Sequence, residues 1–386
     1  MSFNQKILNS SALKSVVLQL IVALCTFSSL QAATPGLPFT EDFANSNLKN
    51  ESLSTALWSN KLQKAFLGQR NAKSLGLRSG TTTTLNISST PISSTSRRIH
   101  SADVNGDGYP DAIANDFSRL NIHFNNRTAD PFLSQIISQT GFTSNIYDIA
   151  TGDIDHDGDI DIVVATFGGT NRLYLNDGSS QPFQNATALI ISTDSASTRG
   201  IVLVDMNGDG WLDVVAGNES SANRLYLNTG VAPFLTGIVG TNISSDADRT
   251  YDIKVADLNN DGFPDVAVSN SGTATEKYYL NDKNIDTDNN PFTSVLGLSI
   301  SSDIGAFVDA LDLGDVNNDG WVDVVTTGGS TNKVYLNSQN PLTPFDAATV
   351  SNTISNENEF GREIKLRDLD DDGDLDAIVA YQRARD

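Results

Sequence analysis

Cysteine and histidine are nearly missing from this sequence. Its 386 residues include one cysteine, Cys25, and three histidines. A single cysteine cannot close a disulfide within the chain or form a thiol-based metal site on its own. No serine, histidine and aspartate pattern can be placed around the three histidines, so nucleophilic catalysis has no support in the sequence. We therefore expect a protein that is not an enzyme.

Basic residues are also scarce. The chain has 25 Lys and Arg against 47 Asp and Glu, which leaves a net charge of −22. Nucleic acids and anionic membrane surfaces are bound by basic patches, so neither is expected as a partner. An acidic chain suits a protein that holds cations if its acids are grouped, and a diffuse acidic surface that only maintains solubility is the alternative.

Long hydrophobic runs are confined to the N-terminus. Two lysines precede an apolar stretch over 16–27, and small residues follow over 28–32, which is the pattern of a secretory signal cleaved near Ala32. The apolar stretch is too short to span a bilayer. We expect residues 1–32 to be a signal peptide, and the protein to be secreted or periplasmic without membrane insertion.

The rest of the chain is a tandem repeat. The pattern Asp-x-Asn/Asp-x-Asp-Gly-x-x-Asp begins at six places, with spacings of 50, 52, 52, 58 and 53 residues: Asp103, Asp153, Asp205, Asp257, Asp315 and Asp368. Short runs rich in Val, Ile, Tyr and Leu surround each copy and are separated by Gly, Asn, Asp and Ser, which is typical of strands and turns. Four strands in about 50 residues, repeated in tandem, predict the blades of an all-β propeller. A stacked solenoid is the alternative.

The two ends of the chain predict how this propeller closes. The last copy ends soon after its second strand, and segments 74–80 and 84–89, before the first copy, are similar to the third and fourth strands of a complete repeat. Joining them gives six four-stranded blades closed by N-terminal strands, with no open sheet edge. The extra run 62–68 leaves seven blades as an alternative. Residues 33–60 are then a lead segment, and 61–386 form the propeller.

Each acidic loop places oxygen-bearing side chains at alternate positions. Positions 1, 3 and 5 are Asp or Asn, position 6 is always Gly, and position 9 is always Asp. Calcium takes six to eight oxygen ligands at about 2.3–2.6 Å, and glycine permits the sharp chain reversal that gathers them. Asp, Asn and Gly are also ordinary turn residues, but six recurrences favour calcium sites, about six in all. We expect the side chains at positions 1, 3, 5 and 9 and the backbone carbonyl at position 7 to be ligands.

The predicted ligands, in the order of positions 1, 3, 5, 7 and 9 of each loop, are Asp103, Asn105, Asp107, Tyr109 and Asp111; Asp153, Asp155, Asp157, Asp159 and Asp161; Asp205, Asn207, Asp209, Trp211 and Asp213; Asp257, Asn259, Asp261, Phe263 and Asp265; Asp315, Asn317, Asp319, Trp321 and Asp323; and Asp368, Asp370, Asp372, Asp374 and Asp376. An EF-hand is excluded, because position 12 is never Glu. Position 12 falls in a β-like run, so each loop joins the first and second strands of its blade.

With this recurrence, the repeats resemble FG-GAP/VCBS repeats, the calcium-loop blades of the integrin α-subunit propeller and of many exported bacterial proteins. The resemblance covers about residues 60–386, and the Phe-Gly and Gly-Ala-Pro signatures are poorly kept, as in the bacterial form. It implies a calcium-binding propeller whose ligands occupy the loop positions named above.

Aromatic residues and histidines offer further candidates. Four loops carry an aromatic residue at position 7, which we expect to pack on the neighbouring blade; a rim that stacks on sugars or docks a partner is the alternative. We expect His156 to be exposed, and His100 and His123 to pack within strands.

The leading functional hypothesis is a monomeric extracellular binding, adhesion or scaffold module for a protein or polysaccharide, with structural calcium. This hypothesis rests partly on the fold. One alternative is a calcium-dependent polysaccharide-active enzyme, similar to a lyase, with acids from outside the loops: Glu219, Glu276, Glu357 and Glu359. Another is a purely structural part of a larger assembly.

Overall fold

The computed structural model of the protein describes residues 98–128, 132, 136–272, 274–283, 290–292, 295–300, 302, 307–329, 331–346, 349, 351–356, 360–370 and 372–382. All regular secondary structure in these residues is β-strand, which confirms the predicted all-β class. The predicted signal peptide, lead segment, extra run 62–68 and closing strands lie outside the described residues.

The strands, in chain order, are β1 (Arg98–Ala102), β2 (Asp111–Asp116), β3 (Arg119–His123), β4 (Ile136–Gln139), β5 (Asn145–Gly152), β6 (Asp161–Gly169), β7 (Arg172–Tyr174), β8 (Leu189–Ile190), β9 (Ala196–Val204), β10 (Asp213–Asn218), β11 (Arg224–Tyr226), β12 (Thr241–Asn242), β13 (Thr250–Ala256), β14 (Asp265–Asn270), β15 (Lys277–Tyr279), β16 (Leu298–Ser299), β17 (Ala310–Gly314), β18 (Asp323–Gly328), β19 (Thr331–Tyr335), β20 (Ser351–Asn356), β21 (Phe360–Arg367) and β22 (Asp376–Gln382).

These strands form antiparallel groups of four that follow the sequence repeat. β1–β4, β13–β16 and β17–β20 are separate four-stranded sheets, and β21 pairs with β22. β5–β8 and β9–β12 are two further groups, which join into one eight-stranded sheet because β6 also pairs with β9. The architecture is consistent with a propeller built from four-stranded blades.

The first strands of successive repeats pack side by side, in the order β1, β5, β9, β13, β17 and β21. Polar side chains on these strands form hydrogen bonds with the neighbouring repeat. For example, the backbone N–H of Ile201 on β9 donates to Asp148 Oδ2 on β5 at 3.0 Å. Arg98 on β1 also forms an ion pair with Glu363 on β21. The first strands therefore line one inner region of the sheets, which we call the axis.

The hydrophobic core consists of layers between neighbouring repeats. Five buried clusters each combine side chains from two successive repeats; Ile113 of the first and Ile162 of the second share one cluster. The second strands β10 and β14 are buried at every residue, because a neighbouring repeat covers each face. This burial explains why their sequences lack an alternating polar face.

Among the described residues, no helix is long and hydrophobic enough to cross a bilayer.

Candidate metal centres in the acidic loops

Every acidic loop connects the first strand of its repeat to the second, as predicted. The loops therefore lie at one end of the sheets, which we call the loop face. Neighbouring loops touch: the His156 ring of the second loop stacks on Trp211 of the third at 3.9 Å between centroids. Asn260 Nδ2 of the fourth loop donates to the Gly320 carbonyl of the fifth at 3.0 Å.

The carboxylates and amides of positions 1, 3 and 5 turn inward in each loop. In the first loop, the backbone N–H groups of Asp107 and Gly108 donate to the two oxygens of Asp103 at 3.0 and 2.6 Å. The Asp107 N–H also donates to Asn105 Oδ1 at 3.1 Å, and the Tyr109 N–H donates to Asp107 Oδ1 at 2.9 Å. The fourth and fifth loops repeat these contacts. The three side chains thus gather around the inside of a single turn.

The aspartate at position 9 has a second task, which is to anchor the loop. In the second loop, Asp161 accepts the backbone N–H of Ile154 at 2.8 Å on one oxygen and that of Asn176 at 2.8 Å on the other. Asp161 is fully buried. Burial raises the pKa of its carboxyl to about 7, because the effect of burial is larger than the lowering caused by the two hydrogen bonds. A cation beside such a carboxylate would favour its charged form.

Two loops bring three carboxylates close enough to share one ion. Side-chain oxygens of Asp153, Asp155 and Asp161 lie within 4.8 Å of one another, and those of Asp368, Asp370 and Asp376 do the same. These are the two loops in which position 3 is Asp rather than Asn.

Two oxygens in these triads fit a cation particularly well. Asp153 Oδ1 and Asp370 Oδ1 are buried and have no hydrogen-bond partner among the described residues. Burial, together with the charges of Asp372, Asp376 and Asp368, raises the pKa of Asp370 to about 6. Buried carboxylate oxygens that no donor satisfies are costly unless an ion pairs with them, so the donor set suits a hard divalent cation.

The other four loops carry Asn at position 3, and the structure places these amides within the same turns. Asn105 and Asn317 each accept a backbone N–H from position 5, and Asn207 donates to Asp209 Oδ2 at 2.9 Å. At position 7 the backbone N–H groups bind the carboxylate of position 5. Metal ligation by these amides, and by the position 7 carbonyls, stays a prediction.

The aromatic residues of position 7 divide into two kinds. Trp211 packs across repeats against His156, and a Cβ on Gly230 would lie 2.3 Å from its ring. Tyr109 remains 46% exposed, and its neighbour is Arg127 of the same repeat, whose guanidinium lies 4.6 Å from the ring centre. Packing on the neighbouring repeat therefore holds for Trp211 but not for Tyr109.

The recurring Tyr-Leu-Asn runs predict a structural role but not its contacts: an asparagine two residues after the third strand ties neighbouring loops together. Asn176 Nδ2 donates to the Val104 carbonyl in the preceding loop at 2.8 Å, and to the Ile160 carbonyl in its own loop at 3.0 Å. Asn228, Asn281 and Asn337 make the same contact to the preceding loop at 2.8–2.9 Å. Their recurrence after Tyr-Leu was the available signal, but it did not reveal the partner.

Comparison with known proteins identifies the repeat. The FG-GAP-like repeat model matches residues 103–164, 153–216, 205–268 and 315–379, which together make up more than half of the chain. No curated protein sequence matches. Among solved structures, the chain resembles an Agrocybe aegerita lectin that specifically recognises non-reducing terminal N-acetylglucosamine, with a TM-score of 0.50, 20% identity and 73% of each chain covered. It also resembles BBS1N, solved in complex with ARL6DN, with a TM-score of 0.38 in one such structure, 11% identity, and 74% of this chain and 92% of that chain covered.

At this identity, the likeness to the lectin shows a shared fold. The four matches to the repeat model settle the family: the chain belongs to the FG-GAP-like repeat proteins.

Proposed function

We propose that this protein is an exported, calcium-loaded propeller that binds glycans through its rigid faces. The observation that carries the proposal is the recurrence of inward-turned oxygen side chains in loops at one end of every described repeat. The fold shared with a lectin of the same overall architecture supports a glycan as the ligand. Such a module needs no catalytic residues, only a fixed surface.

Calcium would have a structural task in this proposal. The side chains at positions 1, 3, 5 and 9 would hold about six ions, and each ion would neutralise carboxylates that otherwise repel one another. At a free concentration ten times its dissociation constant, one site adds about 1.4 kcal/mol to the free energy of unfolding. Several such sites would decide whether the protein is folded outside the cell.

The closing of the ring belongs to the same proposal. β22 is the last strand of a two-stranded sheet, whereas the other groups have four strands. Segments 74–80 and 84–89, which are similar to third and fourth strands, would complete it into a sixth blade. The ion pair between Arg98 and Glu363 supports this arrangement, because it places the first repeat beside the last.

No contact in the described residues favours the alternative enzyme. Glu219 accepts hydrogen bonds from Arg199 and Arg249. Partial burial raises the pKa of the Glu219 carboxyl, but the two arginines lower it by more, so that the pKa lies below its ordinary value. A general acid at neutral pH needs the opposite shift. Glu276 is buried, at 1% exposure, and Glu357 and Glu359 lie outside the described residues.

Two measurements test the proposal. Thermal unfolding followed by circular dichroism should show a melting temperature that rises with Ca²⁺ and hardly with Mg²⁺; an equal rise with both ions would contradict calcium sites. A glycan array probed with the calcium-loaded protein should show binding to some glycans, and the absence of binding to every glycan would contradict the glycan-binding function. Sequencing the N-terminus of protein recovered from the medium tests export.

A further inference from the structure

A β-bulge recurs at one position of the first strands. The pairing of β5 skips Tyr147, that of β9 skips Arg199, that of β13 skips Tyr251 and that of β21 skips Arg362. Each of these residues lies six positions before the first aspartate of its acidic loop. They lie near the start of the first strands. This end of the sheets is opposite the loop face, and we call it the bulge face. A bulge re-aims the side chain of its extra residue and is common beside binding sites.

The bulged side chains of successive repeats meet one another. The Arg199 guanidinium lies 4.7 Å from the ring centre of Tyr147 on the repeat before it and 4.1 Å from that of Tyr251 on the repeat after it. Phe167, at the end of β6, adds a third ring at 5.1 Å. Arg199 and these three rings form one cluster. Arg199 is only 17% exposed, so its guanidinium packs inside this cluster rather than facing solvent.

More exposed arginines surround this cluster. Arg249 donates to Glu219 at 2.6 Å and to the hydroxyl of Tyr251 at 3.1 Å, and 47% of its side chain is exposed. Arg362 pairs with Asp309, lies 6.0 Å from the Phe360 ring centre and is 37% exposed. Each exposed arginine thus stands beside an aromatic ring at the bulge face.

Basic side chains are more frequent around the axis than in the chain as a whole. The six first strands contain six basic side chains and four acidic ones, although the chain carries a net −22. Beyond the strands, the bulge face adds Arg249 to the basic side, and Glu219 and Asp309, the partners of Arg249 and Arg362, to the acidic side. Two partly exposed arginines beside aromatic rings, in a chain that has few basic residues, make the bulge face a candidate surface for an anionic ligand.

We propose that the bulge face binds an acidic glycan, with uronate carboxylates competing with Glu219 for Arg249 and with Asp309 for Arg362, and a sugar ring stacked on the exposed Phe360. Guanidinium groups match a carboxylate with two parallel hydrogen bonds, and aromatic faces pack against the apolar faces of sugars. A single-stranded nucleic acid is disfavoured, because its closely spaced phosphates would meet the −22 charge of the chain. The inference rests on the proposed glycan-binding function and names its ligand class and its face.

The test uses the calcium-loaded full chain and isothermal titration calorimetry with four probes: hexagalacturonate, its methyl ester, chitohexaose and a single-stranded DNA hexamer. We expect hexagalacturonate to bind at least tenfold more tightly than the methyl ester, and added salt to weaken it. Arg249→Gln and Arg362→Gln should each weaken hexagalacturonate binding about tenfold or more, the loss expected for a hydrogen bond to a charged group.

Arg127→Gln is the matched control, because Arg127 also lies over a tyrosine and beside a carboxylate, but on the loop face. It should leave hexagalacturonate binding unchanged. Equal affinity for the acid and the ester, an equal loss in the control, or preferential binding of the DNA overturns the inference. Binding of chitohexaose alone, unaffected by the arginine substitutions, overturns the inference while glycan binding stands. If no sugar binds here or on the glycan array, the proposed function itself fails.

Discussion

Replacing Asn176 by alanine removes hydrogen bonds both within a repeat and between repeats, and Asn125 offers a control that makes no hydrogen bond to another repeat among the described residues. Asn176 donates to Val104 and Ile160 and accepts from the backbone N–H of Gly178 at 3.0 Å. Asn125, its counterpart in the first repeat, donates to the Pro110 carbonyl of its own loop at 3.0 Å and accepts from a backbone N–H at 2.9 Å. The two substitutions therefore differ by the contact to the preceding loop.

The structure sets the expected magnitudes. Each side-chain hydrogen bond contributes about 1 kcal/mol, and a buried carbonyl left without a partner costs about 1–3 kcal/mol. Val104, whose carbonyl would lose its partner, is 2% exposed. We expect Asn125→Ala to cost about 2 kcal/mol and Asn176→Ala about 3–4 kcal/mol.

Urea unfolding in saturating Ca²⁺, followed by circular dichroism, measures both variants. The comparison is valid when the dependence of the free energy on urea is unchanged, so that the midpoint alone reports stability. Asn176→Ala should also weaken the calcium dependence of melting more than Asn125→Ala does, because it uncouples two acidic loops. If the two variants agree within about 0.5 kcal/mol, the contact between repeats contributes no stability, contrary to this prediction.

Three further predictions concern single positions. Burial lowers the pKa of His123 to about 4, so the folded protein disfavours the charged ring; stability is complete above about pH 6.5 and falls by about 3 kcal/mol as the pH drops towards 4. His123→Phe should flatten that part of a pH–stability curve, and an unchanged slope would contradict it. Asp370→Asn should stabilise the protein by about 1 kcal/mol in EDTA, because it relieves the repulsion from Asp368, Asp372 and Asp376. It should also reduce the rise in melting temperature that Ca²⁺ produces. Destabilisation in EDTA would contradict the repulsion. A Cβ on Gly240 would lie 2.4 Å from the buried Tyr226 ring, so Gly240→Ala should cost about 1–3 kcal/mol, seen as a lower melting temperature; an unchanged one would contradict the contact.

Much of the fold and of the candidate metal centres was open to prediction, because the signals are local. The β-branched run that forms β10 and the acidic loop before it lie within one short segment, so their spacing predicts a strand, a loop and a strand. Repetition then strengthened each local pattern. For the same reason the candidate loop ligands could be named residue by residue from the sequence.

Contacts between repeats were not predictable in this way. Asn176 and Val104 are 72 residues apart, and nothing near either residue reveals the other. The meeting of Arg199 with Tyr147 and Tyr251 depends on bulges, which are features of strand pairing rather than of composition. Aligning the repeats on the first aspartate of each loop would have shown an aromatic or charged residue six positions earlier, but not that these side chains meet.

The proposed function depends first on the acidic loops being calcium sites that support the fold. Equilibrium dialysis of the purified full chain against labelled Ca²⁺, in the presence of excess Mg²⁺, counts these sites directly. We expect about six calcium ions per chain, with fewer after substitution of position 1 aspartates such as Asp153 and Asp368. Binding of no calcium, or calcium binding that Mg²⁺ displaces completely, would show that the loops are acidic turns and not calcium sites.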